Sequence, residues 1–304
     1  MARHGILLFL LLLLTSSWSQ QCQAQSSQRN VIIDADTANE VDDLYAVVRG
    51  LIEPSWSVLA LNATQWQVSQ WASPETMEDS HRLNQLLLGH LQLNTPTKRG
   101  GHRRMYDWGD KAVHSAAAYE IIKQAKLHSS TDKLTVVALG ALTNVASALF
   151  ISPEIAENIE VFWLGSTYDI DEGTFGVTDF NSIMDIQAVF EVLDSSVELT
   201  VIPVNVASKM TFTFDDITTK LKGQNPLADF LVNRWTNHID GGRKSRTLWD
   251  LALITTMIYP QWAQIEAVEL PKSFGSKKVK MYHSFNANKV RQEFYKSFSA
   301  IDIK

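Results

Sequence analysis

Cysteine is almost absent: Cys22 is the single one in 304 residues. One thiol closes no disulfide within a chain, so the fold rests on packing and not on covalent staples. Basic charge is in deficit, with 27 Lys and Arg against 33 Asp and Glu and a formal net charge of −6. That balance excludes the basic footprint of a nucleic-acid binder, and no nucleic-acid partner is expected. Proline and glycine are sparse, at 8 and 14. No linker, repeat or low-complexity tract breaks the chain, so one domain is the simpler reading. Apolar residues are plentiful, 45% of the total, enough for a sizeable core.

The first residues form a separate object. Arg3 and His4 precede the apolar run Ile6–Leu14, and small residues follow at Ser17, Ser19 and Ala24. This order matches a secretory signal peptide, and the run is short for a bilayer span. The expectation is a leader over residues 1–24, cleaved after Ser19 or Ala24, and a domain over 30–304. The mature protein would be periplasmic or extracellular, with no stable membrane anchor; a retained anchor is the alternative. Ser19-Gln20-Gln21-Cys22 makes a poor lipid-attachment signal.

From Asn30 onward, short β-branched runs alternate with helical patterns. Strands are predicted at Val31–Ile33, Ser57–Leu61, Leu134–Leu139, Ile159–Leu164, Leu199–Val204 and Val279–His283. Leu44, Val47, Val48, Leu51 and Ile52 share one helical face, and Val113, Ala117, Ile121 and Ala125 form another ladder. Further helices are expected at 78–89, 142–150, from Ser152-Pro153-Glu154, and at 215–221, 226–238, 248–258 and 286–298. The alternation implies an α/β fold with a mostly parallel, Rossmann-like central sheet flanked by helices. Ligands then sit beyond the carboxyl ends of the strands.

The first strand runs straight into Asp34-Ala35-Asp36-Thr37-Ala38-Asn39-Glu40-Val41-Asp42-Asp43. The helix macrodipole favours an acidic residue in a first turn, which explains Glu40, Asp42 or Asp43 singly. It does not explain Asp34 and Asp36 at the end of an apolar strand. Carboxylates this close repel one another unless a cation offsets them. No His/Cys cluster accompanies the loop, so the donor set suits calcium and not zinc.

Residues Val31–Asp43 resemble the N-terminal signature of the inosine–uridine preferring nucleoside hydrolase family, usually D-x-D-P-G-x-D-D. Here the loop is two residues longer, similar to an exported bacterial branch with a DxDxxNExDD loop. Leu61-Asn62 is similar to the family's Gly-Asn pair. Leu139-Gly140-Ala141-Leu142-Thr143-Asn144 resembles its G-P-L-T-N turn. Trp163-Leu164-Gly165, Asp179-Phe180-Asn181 with Asp185, Val201–Lys209 and Leu248-Trp249-Asp250 resemble its later segments in order.

The resemblance implies calcium-dependent hydrolysis of a small-molecule nucleoside at its N-glycosidic bond, at an active site on the C-terminal ends of the strands. It implies calcium held by Asp36, Asp43, Asp250 and the carbonyl of Thr143, with Asp36 also the general base. Asp42 would bind the 2′-hydroxyl, Asn181 the 3′-hydroxyl and Asp179 the 5′-hydroxyl. Asp34 and Asn62 would brace the loop. The family's histidine before the last aspartate is Trp249 here, which can stack on the base or simply pack. His238 and His102 are candidate acids for the leaving group, Trp66 and Trp71 candidate walls of a base pocket. Gly173 stands where the family has an asparagine near the 5′ end. A homodimer or homotetramer is the family's habit.

Two other readings stay open on the residues alone. Asp34-Ala35-Asp36-Thr37-Ala38 is similar to the start of haloacid dehalogenase-type phosphatases, although their later lysine and acidic pair are not evident. A non-catalytic calcium-dependent ribose- or nucleoside-binding protein would keep the acidic cage and lose the leaving-group machinery.

Overall fold

The computed structural model describes residues 28–105 and 112–301; the leader reading and Trp108 lie outside the described residues. The chain begins with β1 (Arg29–Ala35), α1 (Asp42–Leu51), β2 (Trp56–Ala63), α2 (Thr76–Leu91), β3 (Thr97–Lys98) and α3 (Ala116–Ala125). It continues with β4 (Leu134–Ala138), α4 (Thr143–Ile151), β5 (Ile159–Leu164), the hairpin β6 (Thr167–Asp169) and β7 (Thr174–Gly176), α5 (Phe180–Met184) and α6 (Ile186–Asp194). Then come β8 (Glu198–Ile202), α7 (Val204–Ala207), β9 (Thr211–Thr213), α8 (Phe214–Leu221), α9 (Pro226–Thr236), β10 (Ser245–Thr247) and α10 (Trp249–Ile258). The elements β11 (Ala263–Glu269), β12 (Lys278–Phe285) and α11 (Ala287–Ser299) end it.

Eight strands form the central sheet, in the order β11-β12-β8-β5-β4-β1-β2-β3. Every pairing is parallel except β11 with β12. Strand β1 explains the apolar run that begins it. Val31, Ile33 and Ala35 join the core beneath α1, α10 and α11, whereas Ile32 joins the core beneath α3, α4 and α6. A strand buried on both faces has no place for a polar residue until it ends. Each Val, Ile or Leu so buried contributes ~1.5–3 kcal/mol.

The chain builds outward from β1 in two directions, β2 and β3 on one side and β4, β5 and β8 on the other. The crevice between β1 and β4 is therefore the topological switch point. Among the described residues no helix is long and apolar enough to cross a membrane.

Several elements depart from the sequence reading. Pro203 stops β8 at Ile202, because proline cannot donate to a central ladder. The Ser152-Pro153 signal opens only a short 3-10 turn, Pro153–Glu157. Strand β11, with its mixed polar sequence, was not expected; it is an edge strand, and most of its residues are partly or fully exposed. Helices α5 and α6 were also not expected, and both start at aspartates, Asp179 and Asp185, whose side chains accept from backbone N–H groups of the first turn.

Candidate active site

Three segments far apart in sequence meet at the switch point. Asp36 follows β1, Asp42 and Asp43 open α1, and Asp250 lies in the first turn of α10. Helices α1 and α10 pack against one another, and the Asp250 backbone N–H points at Asp42 Oδ2, 3.4 Å away. Carboxylate oxygens of Asp42, Asp43 and Asp250 come within 4.8 Å of one another. With Asp36 and Glu40 they line a cavity of about 130 Å³, whose other walls are Asn39, Leu139, Leu164, Phe180, Asn181, Val204 and Trp249. That is below the ~300 Å³ at which clefts for drug-sized ligands begin, and suits a small polar ring.

Among the described residues the wall holds five acidic side chains and no Lys, Arg or His. Asp36, Asp42, Asp43 and Asp250 are each at most 4% exposed. Burial, then repulsion from Asp42, pushes Asp36 up to about 8. Burial pushes Asp42 up to about 6 and, with Asp42 repulsion, Glu40 up to about 7. Asp43 and Asp250 are driven well above the usual carboxylate range by burial and by their acidic neighbours. Asp36 Oδ2, Asp43 Oδ1 and Asp250 Oδ1 are buried without a hydrogen-bond partner. Orphaned oxygens of this kind carry a large desolvation penalty. A hard divalent cation would offset such oxygens, and Asp42, Asp43 and Asp250 lie close enough to share one, so the donor set fits a metal of the calcium or magnesium type.

The floor is built to admit Asp36. A Cβ on Gly140 would stand 2.5 Å from Asp36 Oδ1 and 2.8 Å from its Cγ, so only glycine fits under that carboxylate. Trp163, fully buried, donates from Nε1 to the Gly140 carbonyl at 3.1 Å and fixes the turn. Asn144 Nδ2 donates to Asp34 Oδ1 at 2.9 Å. Burial still lifts Asp34 to about 7. Asp34 lies beneath the cavity, in register with the buried Asn62 on β2.

The comparisons with known proteins bear on this arrangement. The model of the family described as inosine-uridine preferring nucleoside hydrolase matches residues 31–291. The chain belongs to that family. Nucleoside hydrolases act on N-glycosidic bonds, and this chain is a hydrolase of that kind. A probable uridine nucleosidase 2 of Arabidopsis thaliana is 24% identical over 232 residues, 68% of this chain and 69% of the relative. The fold is similar to a plant nucleoside hydrolase, with a TM-score of 0.70 at 16% identity over 90% of this chain and 99% of that one. A purine-preferring ribonucleoside hydrolase from Gardnerella vaginalis gives 0.67 at 18% identity, over 90% and 99%. Membership leaves the phosphatase reading without support.

Within this nucleoside hydrolase fold, not every residue singled out from the sequence reaches the cavity. Asp36, Asp42, Asp43, Asn181, Trp249 and Asp250 do. Thr143 does not. It opens α4, so its carbonyl is directed along the helix, and its hydroxyl donates to Asp185 Oδ2 at 2.7 Å. Just after β4 it is Leu139 that lines the cavity. Asn181 Nδ2 donates to the carbonyls of Leu139, at 2.7 Å, and Leu164, at 2.9 Å. What Asn181 can offer a ligand is therefore its amide oxygen.

Asp179 is likewise absent from the cavity wall. It caps α5, accepting from the Ser182 N–H at 3.2 Å and from the Ser182 hydroxyl. Gly173 sits at φ 65° in the exposed hairpin turn between β6 and β7, also off the wall. Trp249 does both things the sequence left open. It lines the cavity and packs on the core, and its Nε1 donates to Ser208 Oγ at 3.0 Å. His238 is not a free acid: Asn39 O and Asp240 Oδ1 occupy its two ring nitrogens. His102 lines a separate polar cavity with Arg103 and Gln67. Trp66 and Trp71 line a third cavity, which also takes in Ala38, His238 and Arg234. The apolar walls Leu139, Leu164, Phe180 and Val204 were missed. Leu139, Leu164 and Val204 sit at or just after strand ends, whereas Phe180 opens α5.

Proposed function

We propose that this nucleoside hydrolase cleaves ribonucleosides to free base and ribose in a calcium-dependent reaction, acting as an exported, periplasmic or extracellular enzyme. The observation that carries the reading is the cavity wall of four buried carboxylates and the half-buried Glu40, with no basic residue among the described residues and three of the carboxylates keeping an orphaned oxygen. Asp36, Asp43, Asp250 and the Leu139 carbonyl are the ion's ligands. The Arg3–Ala24 pattern supports export.

When bound, calcium supplies charge that holds vicinal hydroxyls and makes a water easier to deprotonate. Asp42 accepts from the 2′-hydroxyl and the Asn181 amide oxygen from the 3′-hydroxyl, which fixes the ribose against the floor. Asp36, held over Gly140, takes the proton of the attacking water. Breaking the bond builds positive charge on the ribosyl ring, and the surrounding carboxylates stabilise it. Attack from the face opposite the base inverts the anomeric centre. Leu164, Phe180 and Val204 keep bulk water from the ring. Trp249 offers a face on which the departing base stacks.

The test is ribose release from inosine, adenosine, guanosine, uridine and cytidine by the mature protein, with calcium and after chelation. Calcium-dependent release from any of them supports the reading, and the pattern gives the base preference. Calcium and ribose binding without release from any would replace it with a nucleoside-binding relative.

A further inference from the structure

His238 and Arg246 lie outside the acidic cavity yet grip the loop that carries it. His238 is 6% exposed. Its Nε2 lies 2.7 Å from the Asn39 carbonyl and its Nδ1 2.6 Å from Asp240 Oδ1. A proton on Nε2 lets the ring donate to the Asn39 carbonyl, while Nδ1 also lies 3.4 Å from the Asp240 backbone N–H. Asp240 is shared. It accepts from Arg246 Nη1 at 2.8 Å and Nη2 at 2.5 Å, and pairs with Arg243 Nε at 2.7 Å. Arg246 Nη1 then reaches Glu40 Oε2 at 3.5 Å.

The Asn39 residue transmits this grip. Its N–H donates to the Asp36 carbonyl at 2.8 Å, while its own carbonyl is held by His238. A chain of two hydrogen bonds therefore runs from His238 to Asp36. The stretch so held, Thr37–Val41, contains the two residues by which this loop exceeds the usual signature. A longer loop has more conformations to lose on ordering, and it needs an external tie. Glu40, His238 and Asp240 also come within ligating distance of one another, but the Arg246 guanidinium already supplies the cation there.

We propose that His238, Asp240 and Arg246 are positioning residues: they latch Thr37–Val41 in the conformation that aims Asp36, Asp42 and Asp43 at one ion. The inference rests on the acidic cavity being a calcium site. The latch also comes from the segment that leads into Asp250, so it registers the two halves of the site against each other.

The experiment compares wild type, His238→Ala, His238→Gln and Asp240→Asn by calorimetric titration with calcium and by hydrogen exchange of the 37–41 amides. His238→Ala is expected to bind calcium about 10- to 100-fold more weakly, the usual consequence of removing a partner behind a metal site, and to exchange faster over 37–41. In His238→Gln the side-chain amide can still donate to Asn39, so part of the affinity returns. If His238→Ala does not fold, Asp240→Asn carries the same two readouts. Wild-type calcium affinity, or unchanged exchange, in a folded variant overturns the latch. If wild type itself binds no calcium, the proposed function fails, and the exchange comparison still decides whether His238 orders the loop.

Discussion

Stripping divalent ions from this protein should make it less stable as pH rises, the opposite of ordinary acid denaturation. The unfolded chain releases its carboxyl protons near pH 4. Folding holds the proton on Asp36 up to about 8, because burial and Asp42 penalise the anion. Between these values the folded state carries more protons than the unfolded one, so its stability falls with increasing pH. The stabilisation is whole below about pH 4 and is lost as pH passes through the folded value. Across pH 5 to 8, Asp36 alone contributes a fall of about 4 kcal/mol. For a domain of this size that lowers the melting temperature by about 8 °C. Carboxylates pulled the other way, such as Asp240 at about 2 beside Arg246 and His238, gain their stabilisation below this window and leave the slope alone. Calcium at about 100 times its dissociation constant adds about 2.7 kcal/mol and should offset more than half of the decline. The assay is differential scanning calorimetry at pH 5, 6, 7 and 8, with chelator and with calcium. A flat or rising melting temperature in chelator, or coincident curves, would refute the electrostatic account of the cluster.

Three substitutions probe the same site. Asp36→Asn should lower kcat by about 10²–10⁴-fold in ribose-release assays while ribose binding survives; turnover near wild type would remove Asp36 as the base. Asp250→Asn should melt higher than wild type in chelator, because one repelling buried carboxylate is gone, yet gain little from calcium; a lower chelated melting temperature would contradict this. Gly140→Ala puts a Cβ 2.5 Å from Asp36 Oδ1, and a displacement of Asp36 by about 1 Å is worth about 100-fold in kcat. Full activity in the alanine variant would show that Asp36 is free to move.

Much of the fold was legible because parallel strands buried on both faces leave apolar, β-branched runs, as at Val31–Ile33 and Val136–Ala138. Strand β11 was not, since an edge strand needs no such run. At the site, the side chains that meet in the cavity were legible through their chemistry: carboxylates at the end of an apolar strand have no structural excuse. Backbone contributions were not. Leu139 lines the cavity just after β4, and no side-chain pattern distinguishes it from Thr143, four positions on. Nor does the sequence separate a helix-capping aspartate from a ligand-binding one. Asp179 and Asp185 take the first role, and only the N–H groups around them say so. His238 could be read as a candidate acid because its partners, Asn39 and Asp240, are set by the tertiary fold and leave no mark in the sequence.

Asp42 and Asp250 stand 208 residues apart in the chain, and the ion's proposed ligands come from the two sides of that span. No fragment of the unfolded polypeptide can assemble such a cage, since closing so long a loop has to come first. An ion held there would thus report completed folding. A chain threaded unfolded across a membrane would travel without it, and would acquire both its cation and its working chemistry only on reaching its final shape.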